Sequence, residues 1–381
     1  MHIGLNLVFL TPGEQGGMEV YARELIPQLV RAAPQHRFTA FINRDAGATE
    51  QPWDDLIESV TLPVRATHRI EWVRGEQQLL PPLAKRAGVQ VLHSLASTAP
   101  AWGPFHRVVT IHDLIYRTAP RTHPGVRSIG MRVLVPLAAR RSHRVIVDSE
   151  STRKDVTHFL RTPDQKIDVV PLGGGAIPRV APMAEAEVRA RISAEERPIV
   201  LTVSAKLPHK NLLRLIQALA SLPPRSRPLL VLPGYRTAHE DELRRRVAEL
   251  EIVNDVRFLG WVSAQELEGL YAASRCVVLP SLAEGFGLPA LEAMARGVPV
   301  ACAAGGALAE TAGAAALKFD PMSESAIADA VTRLLKDNEL TARLRVAGPD
   351  RAAQFRWETT AAGTLATYER AATDGSSPRR W

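Results

Sequence analysis

Cysteine is almost absent from this sequence, which has two, Cys276 and Cys302, among 381 residues. Both lie in short apolar runs typical of buried strands, where a thiol behaves as a small reduced hydrophobe. This low count excludes a disulfide framework, and no Cys or His spacing is typical of a metal site. An Asp-x-Asp motif is missing as well. We therefore expect free thiols and no metal site.

Long hydrophobic runs are also missing. No apolar segment approaches the ~20 residues that a membrane-spanning helix requires. The N-terminal segment MHIGLNLVFL has neither the basic region nor the cleavage site of a secretory signal, and its pattern predicts a first strand. These two absences predict a cytoplasmic protein.

Aromatic residues make up only 5% of the chain, whereas positive charge is in excess, with 47 Lys and Arg against 40 Asp and Glu and a net charge of +7. Such a charge suits polyanions or an anionic membrane surface. Few aromatics are available to stack on bases, and no known nucleic-acid-binding motif is present, so we expect no nucleic acid partner. Peripheral association with the inner face of a membrane is left open.

What the chain does contain is an alternation of β-rich and amphipathic segments that runs through it twice. This pattern predicts an α/β protein with two doubly wound, Rossmann-like domains. We expect an N-terminal domain over residues 1–172, a linker rich in glycine and proline over 173–197, a C-terminal domain over 198–357 and a disordered tail over 373–381. Ligands bind at the carboxyl ends of strands in such sheets, so functional residues should follow strands.

The strands of the N-terminal domain are expected at residues 3–8, 38–42, 89–93, 108–111, 145–147 and 167–170, and its helices at 19–30, 72–86, 126–141 and 152–160. The second domain restarts the pattern at residue 199. One of its helices should begin with the capping box SAQE at Ser263 to Glu266.

The most informative segment is 275–303, which has the pattern strand, loop, helix, strand. A buried strand at 276–279 leads into a loop with Gly285 and Gly287, and Pro289 suits the first turn of a helix. A glycine loop that opens onto a helix N-terminus offers unpaired amides and the positive end of the helix dipole. This arrangement favours a phosphate or diphosphate.

Two carboxylates, Glu284 and Glu292, frame that loop. A carboxylate repels an anion, so we expect both to accept hydrogen bonds from hydroxyl groups on either side of the phosphates, as a nucleotide sugar would supply. An acid and base pair for glycoside hydrolysis is the weaker alternative, because a helix N-terminus favours the ionised carboxylate. Each residue could also be purely structural, with Glu284 as a helix cap and Glu292 on the solvated surface.

Three further loops follow predicted strands. Gly16 and Gly17 precede a helix after the first strand, but the spacing is not that of a dinucleotide site. His112 and Asp113 follow the strand at 108–111, where the imidazole could donate to a sugar hydroxyl or phosphate, and Asp113 could orient it or accept a proton from a hydroxyl group. Lys210 opens a helix after the first strand of the second domain and could hold an anion.

The segment EGFGLPALE resembles the Glu, seven residues, Glu signature of the retaining nucleotide-sugar glycosyltransferases of family 4, which have the GT-B fold. The glycines, Phe286 and the following ARGVPV agree with that family. The resemblance covers nearly the whole chain and implies two Rossmann-like domains facing across a cleft, with the last helix, 358–372, crossing back onto the N-terminal domain.

The same resemblance implies roles for individual residues. It places Gly16 and Gly17 against the donor diphosphate and acceptor, and it makes Glu284, His112 and Lys210 the catalytic candidates. This sequence departs from the family at Ala205, where the family usually has an arginine. Lys206 is the adjacent residue. The full set of donor-binding candidates is Gly16, Gly17, Ala205, Lys206, Lys210, Glu284, Gly285, Phe286, Gly287, Leu288 and Glu292.

The expected activity is therefore transfer of a sugar from a GDP- or UDP-sugar, with mannose-type sugars plausible, to a glycan or lipid-linked saccharide. We expect retention of configuration, no metal, and no cofactor besides the sugar nucleotide substrate. The basic segment from Arg121 to Arg144 is a candidate acceptor or lipid-facing surface, or simply a packed helix with a solvated face. A sugar-nucleotide epimerase and a two-lobed binding protein are the alternatives.

Overall fold

A computed structural model describes residues 1–13, 16–119, 126–174 and 180–373, and for 126–129 the backbone only. The chain divides into two compact units. Unit 1 comprises Met1–Gly173 and Arg356–Trp381, and unit 2 comprises Gly174–Phe355. The predicted tail, apart from Thr373, and the predicted linker residues Gly175 and Pro178 lie outside the described residues.

Unit 1 is built on a parallel sheet of seven strands in the order β3-β2-β1-β4-β5-β6-β7. The strands are β1 (His2–Leu7), β2 (Arg37–Ile42), β3 (Glu58–Thr61), β4 (Val91–Ser94), β5 (His106–Ile111), β6 (Arg144–Val147) and β7 (Ile167–Val169). Six of them occupy predicted segments. The edge strand β3 was not predicted, because its sequence ESVT has no buried residue and therefore no apolar run.

The helices of unit 1 cover the faces of this sheet. They are α1 (Gly17–Ala32), α2 (Arg69–Arg74), α3 (Leu80–Arg86), α4 (Ile115–Thr118), α5 (Val126–Arg141), α6 (Glu150–Leu160) and, from the end of the chain, α15 (Trp357–Thr373). Helix α15 packs on α1 and on β5, and its Tyr368 hydroxyl lies 2.7 Å from Nδ1 of the buried His93. The C-terminal helix therefore contributes to the core of unit 1.

One predicted helix of unit 1, 72–86, is interrupted by a π-helical turn at Gly75–Leu79. Pro81 has no N–H, so it cannot donate to the carbonyl of Gln77 four residues earlier. The Trp102 indole donates to that carbonyl instead, at 2.8 Å. The sequence periodicity alone did not reveal this break because the apolar pattern continues through it.

Unit 2 has a parallel sheet of six strands in the order β10-β9-β8-β11-β12-β13. They are β8 (Ile199–Leu201), β9 (Leu229–Leu232), β10 (Val256–Phe258), β11 (Cys276–Leu279), β12 (Val300–Ala303) and β13 (Ala316–Phe319). Four of the six, β8, β9, β11 and β12, are fully buried, as expected of a parallel sheet covered on both faces.

The helices of unit 2 are α7 (Glu185–Ile192), α8 (Leu212–Ala220), α9 (Ala238–Glu249), α10 (Ala264–Ala273), α11 (Leu288–Ala295), α12 (Gly306–Ala312), α13 (Glu324–Lys336) and α14 (Asn338–Ala352). Helix α7 lies within the predicted linker, yet it packs against α10, because Val188 and Ile192 give it an apolar face. Ser263 caps α10 as predicted, accepting from the Glu266 amide at 3.1 Å. Among the described helices, none has the length and hydropathy to cross a membrane.

Candidate functional site

The strand order of unit 2 reverses direction between β8 and β11, and the loops after these two strands carry Lys210 and Glu284. Such a switch point is where ligands bind in doubly wound sheets. Lys210 ends a 3₁₀ turn at Pro208–Lys210, and its Nζ lies 2.7 and 2.9 Å from the two carboxylate oxygens of Glu284. The loops are joined further by the Leu282 amide, which donates to the His209 carbonyl at 2.8 Å.

This ion pair fixes the charge of Glu284. Burial by itself would raise the pKa of the carboxyl, but the charge and hydrogen bond of Lys210, with a hydrogen bond from Ser281, outweigh burial and lower the pKa below its usual value. Glu284 is therefore an acceptor of hydrogen bonds at neutral pH.

The glycine loop then leads into α11, as the sequence predicts. Gly287 has a φ of 104°, and a Cβ at this position would lie 2.8 Å from the Leu308 side chain, so only glycine fits. Gly285 is half-buried in the loop, whereas Phe286 is buried and packs edge-on against Phe355. Leu288 begins α11, which places the first amides of this helix beside the ion pair's loop.

Glu292 lies in the second turn of α11, where its Oε2 accepts from the Tyr271 hydroxyl at 2.8 Å. Burial raises the pKa of Glu292, and the Tyr271 hydrogen bond and the charge of Arg296 only partly oppose it. Arg296 is itself held by Glu268 and lies over the Tyr271 ring. The pKa values of the two glutamates are thus shifted in opposite directions. Arg296 belongs to the segment ARGVPV, which matches the family, whereas no sequence motif pointed to Tyr271.

Lys206, expected near the donor phosphates, is fully buried. Its Nζ donates to the carbonyls of Gly234 and Leu259, the second at 2.5 Å, and burial lowers its pKa to about 8. Its ammonium therefore braces the loops after β9 and β10 in this structure. Ala205 is half-buried beside it, and its carbonyl accepts from the Leu207 amide.

In unit 1, His112 follows β5 and its imidazole is held from both sides. Nδ1 lies 2.7 Å from Asp148 Oδ2, and Nε2 lies 2.9 Å from the Leu95 carbonyl. Both partners are acceptors, so both ring nitrogens carry protons and the ring is an imidazolium. Burial opposes this charge, but Asp148 outweighs it and the pKa of His112 is raised.

The sequence suggests that Asp113 orients His112. In the structure the residue that orients His112 is Asp148. Asp113 accepts from the Ile115 amide at 2.9 Å and so shapes the turn into α4. Asp148 lies 36 residues from His112 in the sequence and follows the adjacent strand β6, a proximity that only the strand order reveals.

The Gly16–Gly17 loop lies at the start of α1. Gly16 has a φ of 54°, so its backbone favours glycine, and Gly17 begins the helix. A Cβ at either position would meet no atom within 4 Å among the described residues. Tyr21 of the same helix contacts the His112 ring edge-on, with the ring centroids 4.8 Å apart. The structure thus brings the start of α1 and His112 together in unit 1, whereas the other site candidates belong to unit 2.

The basic segment from Arg121 to Arg144 is only partly an exposed surface. Arg121, and the side chain of Arg127, lie outside the described residues. Arg132, Arg140 and Arg141 are exposed, but Arg144 is buried and pairs with Asp168 through Nε and Nη2 at 2.9 and 2.6 Å. Arg144 therefore stabilises the β6–β7 edge and does not belong to the exposed basic face.

Comparisons with known proteins show the family of this chain. The family model described as Glycosyltransferase Family 4 matches residues 15–173, and the model described as Glycosyl transferases group 1 matches residues 184–351. The O-antigen chain mannosyltransferase B of Escherichia coli is 32% identical over 69% of this chain and 70% of the relative. The chain belongs to the family 4, or group 1, glycosyltransferases.

Other glycosyltransferases are similar over more of the chain. The D-inositol 3-phosphate glycosyltransferase of Frankia alni is 29% identical over 94% of this chain and 83% of its own length. None of the relatives named here is an epimerase, so the comparisons do not support that alternative.

Solved structures confirm the predicted fold of this glycosyltransferase. Sucrose-phosphate synthase from Thermosynechococcus elongatus has a TM-score of 0.78 at 23% identity, covering 97% of this chain and 98% of that one. Anabaena HepE in complex with UDP-glucose has a TM-score of 0.75 at 20% identity, covering 96% and 99%. The fold is GT-B, with two Rossmann-like domains.

Proposed function

We propose that this glycosyltransferase moves a mannose-type sugar from a GDP- or UDP-sugar to a glycan or lipid-linked saccharide, with retention of configuration. The observation that carries the proposal is the Lys210–Glu284 pair at the switch point of unit 2, next to the N-terminus of α11. A cation, a helix N-terminus and an ionised carboxylate together suit a diphosphate flanked by hydroxyl groups.

In this proposal the ammonium of Lys210 leaves Glu284 and binds the donor diphosphate. The diphosphate also accepts hydrogen bonds from the amides near Gly287 and Leu288. Glu284 is then free to accept from hydroxyls of the transferred sugar. Glu292, held by Tyr271, accepts from the ribose. Positive charge fixed at the leaving group stabilises it as negative charge develops there.

No side chain is proposed as a covalent nucleophile. The acceptor attacks on the face from which the diphosphate departs, and a donor phosphate oxygen takes the acceptor proton. His112 exchanges its bond to the Leu95 carbonyl for a donor hydroxyl or phosphate oxygen. We propose that neither a metal nor a further cofactor takes part, and full activity in excess EDTA is the result expected.

The acceptor is proposed to bind unit 1. The name of the O-antigen chain mannosyltransferase supports a saccharide acceptor, and the net charge of +7 suits an anionic or membrane-associated one. Flotation with vesicles containing anionic lipid at low salt tests the membrane part. Failure to float would favour a water-soluble acceptor.

The donor assignment is tested by incubating the protein with candidate nucleotide sugars and measuring release of nucleotide diphosphate. Glu284→Gln should impair turnover more than nucleotide binding, and Glu292→Gln should weaken nucleotide binding. The loss of one charged hydrogen bond should raise the activation free energy of Glu284→Gln, and weaken the binding free energy of Glu292→Gln, by ~1.5–3 kcal/mol. The exposed Glu339→Gln serves as the control. Conversion of the nucleotide sugar without nucleotide release would show an epimerase instead, and equal small effects would make both residues structural.

A further inference from the structure

Unit 2 carries a pair of stacked aromatic rings, half-buried Tyr235 and exposed Trp261, which are not among the residues around the Lys210–Glu284 pair. Tyr235 follows β9 and Trp261 follows β10, with ring centroids 4.8 Å apart and an interplanar angle of 25°. Tyr235 covers one face of the indole, yet 67% of Trp261 remains exposed. The exposed face of such a ring can stack on another planar group.

The pair lies at the same end of the sheet as Lys210 and Glu284. All strands of unit 2 are parallel, and each of these four residues follows the carboxyl end of a strand. Neighbouring strands are ~4.8 Å apart, so three strand steps put the end of β10 roughly 14 Å from the end of β11. An extended nucleoside diphosphate spans such a distance.

The loops that carry the rings are held rigidly. Buried Lys206 donates to the carbonyls of Gly234 and Leu259, one on each loop, and the Gly234 amide donates to the Gly260 carbonyl at 3.0 Å. Gly234 has a φ of 128°, and a Cβ there would overlap the Ser204 carbonyl, so the loops after β8 and β9 are in close contact. A rigid platform loses little conformational entropy when a ligand binds.

We propose that the exposed face of Trp261, backed by Tyr235, is the platform on which the base of the donor nucleotide stacks, and that it favours a purine. The proposal rests on the proposed nucleotide sugar donor and narrows it to one class of base. A purine covers more of the indole than a pyrimidine does, so it removes more apolar surface from water. Lys206 acts here as a positioning residue, which accounts for its burial.

The test is calorimetric binding of GDP, UDP and inorganic pyrophosphate to the full chain and to Trp261→Ala. Loss of the stack should weaken GDP binding roughly 5- to 150-fold, UDP less, and pyrophosphate hardly at all, because pyrophosphate has no base. Trp261→Phe should retain most of the GDP affinity. Trp102→Ala, which removes an exposed tryptophan of unit 1, is the matched control and should change none of the three affinities.

The possible failures are distinguishable. Unchanged GDP and UDP affinities in Trp261→Ala would overturn the platform while leaving the proposed function in place. Tighter binding of UDP than GDP by the unaltered protein would overturn the preference for a purine. Equal weakening of pyrophosphate would mean that Trp261→Ala perturbs the phosphate site and would also overturn the platform. Absence of binding by any nucleotide would overturn both proposals.

Discussion

Lys210 and Glu284 form a bidentate ion pair although 74 residues separate them in the sequence. Their side chains are only 17% and 15% exposed, so neither charge is well hydrated. The pair holds together the loops after β8 and β11 and keeps Glu284 ionised in the absence of a ligand. Its strength can be measured directly.

Lys210→Met should lower the free energy of unfolding by about 3 kcal/mol at pH 7, because it leaves a buried carboxylate unpaired. The double variant Lys210→Met/Glu284→Gln should recover most of this loss in urea unfolding. Arg37→Gln, which breaks the exposed Arg37–Glu58 pair, should cost under about 1 kcal/mol. A double variant as unstable as the single one would show that the pair's charge is not the cause.

The same variant has a predictable pH dependence. Because the pKa of Glu284 is lowered in the folded protein, the pair's contribution is present above the ordinary glutamate pKa near ~4.3 and is lost as the pH falls through the lowered value. The difference between the unaltered protein and Lys210→Met should therefore shrink on acidification.

Asp148→Asn should remove the cause of the raised pKa of His112. The contribution of this pair is fully present below about pH 6.5 and is lost as the pH rises through the raised pKa. We expect a destabilisation of about 1.5–3 kcal/mol near pH 6 that diminishes toward pH 9, measured by urea unfolding. The destabilisation caused by Asp113→Asn should depend less on pH. Parallel stability curves for the unaltered protein and Asp148→Asn would contradict this account.

Tyr271→Phe should keep the aromatic ring under Arg296 but remove the hydroxyl that donates to Glu292. A loss of about 1 kcal/mol in stability is expected, together with weaker nucleotide diphosphate binding because Glu292 is no longer oriented. Tyr368→Phe removes another buried hydroxyl, the one bonded to His93 in unit 1, and should reduce stability without changing nucleotide affinity. Equal nucleotide affinities for the two variants would mean that Tyr271 does not position Glu292.

Gly287→Ala should cost about 1–3 kcal/mol, because alanine is strained at a φ of 104° and its Cβ would press on Leu308. The start of α11 should shift, so nucleotide binding should weaken as well. Gly305→Ala is the control, since its Cβ would meet no atom within 4 Å among the described residues and its φ is −128°. Thermal unfolding and calorimetry would measure the two effects, and identical behaviour of both variants would argue against strain.

Cys276 and Cys302 should not react with a thiol reagent at pH 8 while the protein is folded. Both are buried, and burial raises the pKa of each thiol to about 12, which leaves almost no thiolate. Both should react in denaturant. Rapid labelling of the native protein would show local opening of β11 or β12.

The sequence by itself determined six of the seven strands of unit 1 and the glycine loop before α11. Such features are local: burial of parallel strands produces short apolar runs, and the backbone at Gly287 requires a residue without a Cβ. The edge strand β3 was not predicted because it has no apolar run. The break in the helix at Gly75–Leu79 was not predicted because the apolar pattern continues through it.

Only the tertiary structure decided which side chains meet. Asp148 rather than Asp113 orients His112, Tyr271 holds Glu292, and Tyr235 stacks on Trp261. Lys206 turns inward, whereas Lys210 reaches across to Glu284. The physical reason is that these contacts depend on strand order, which brings loops distant in sequence to one edge of a sheet. Hydrophobic periodicity specifies which face of a strand or helix is buried, but it carries no information about the neighbouring element.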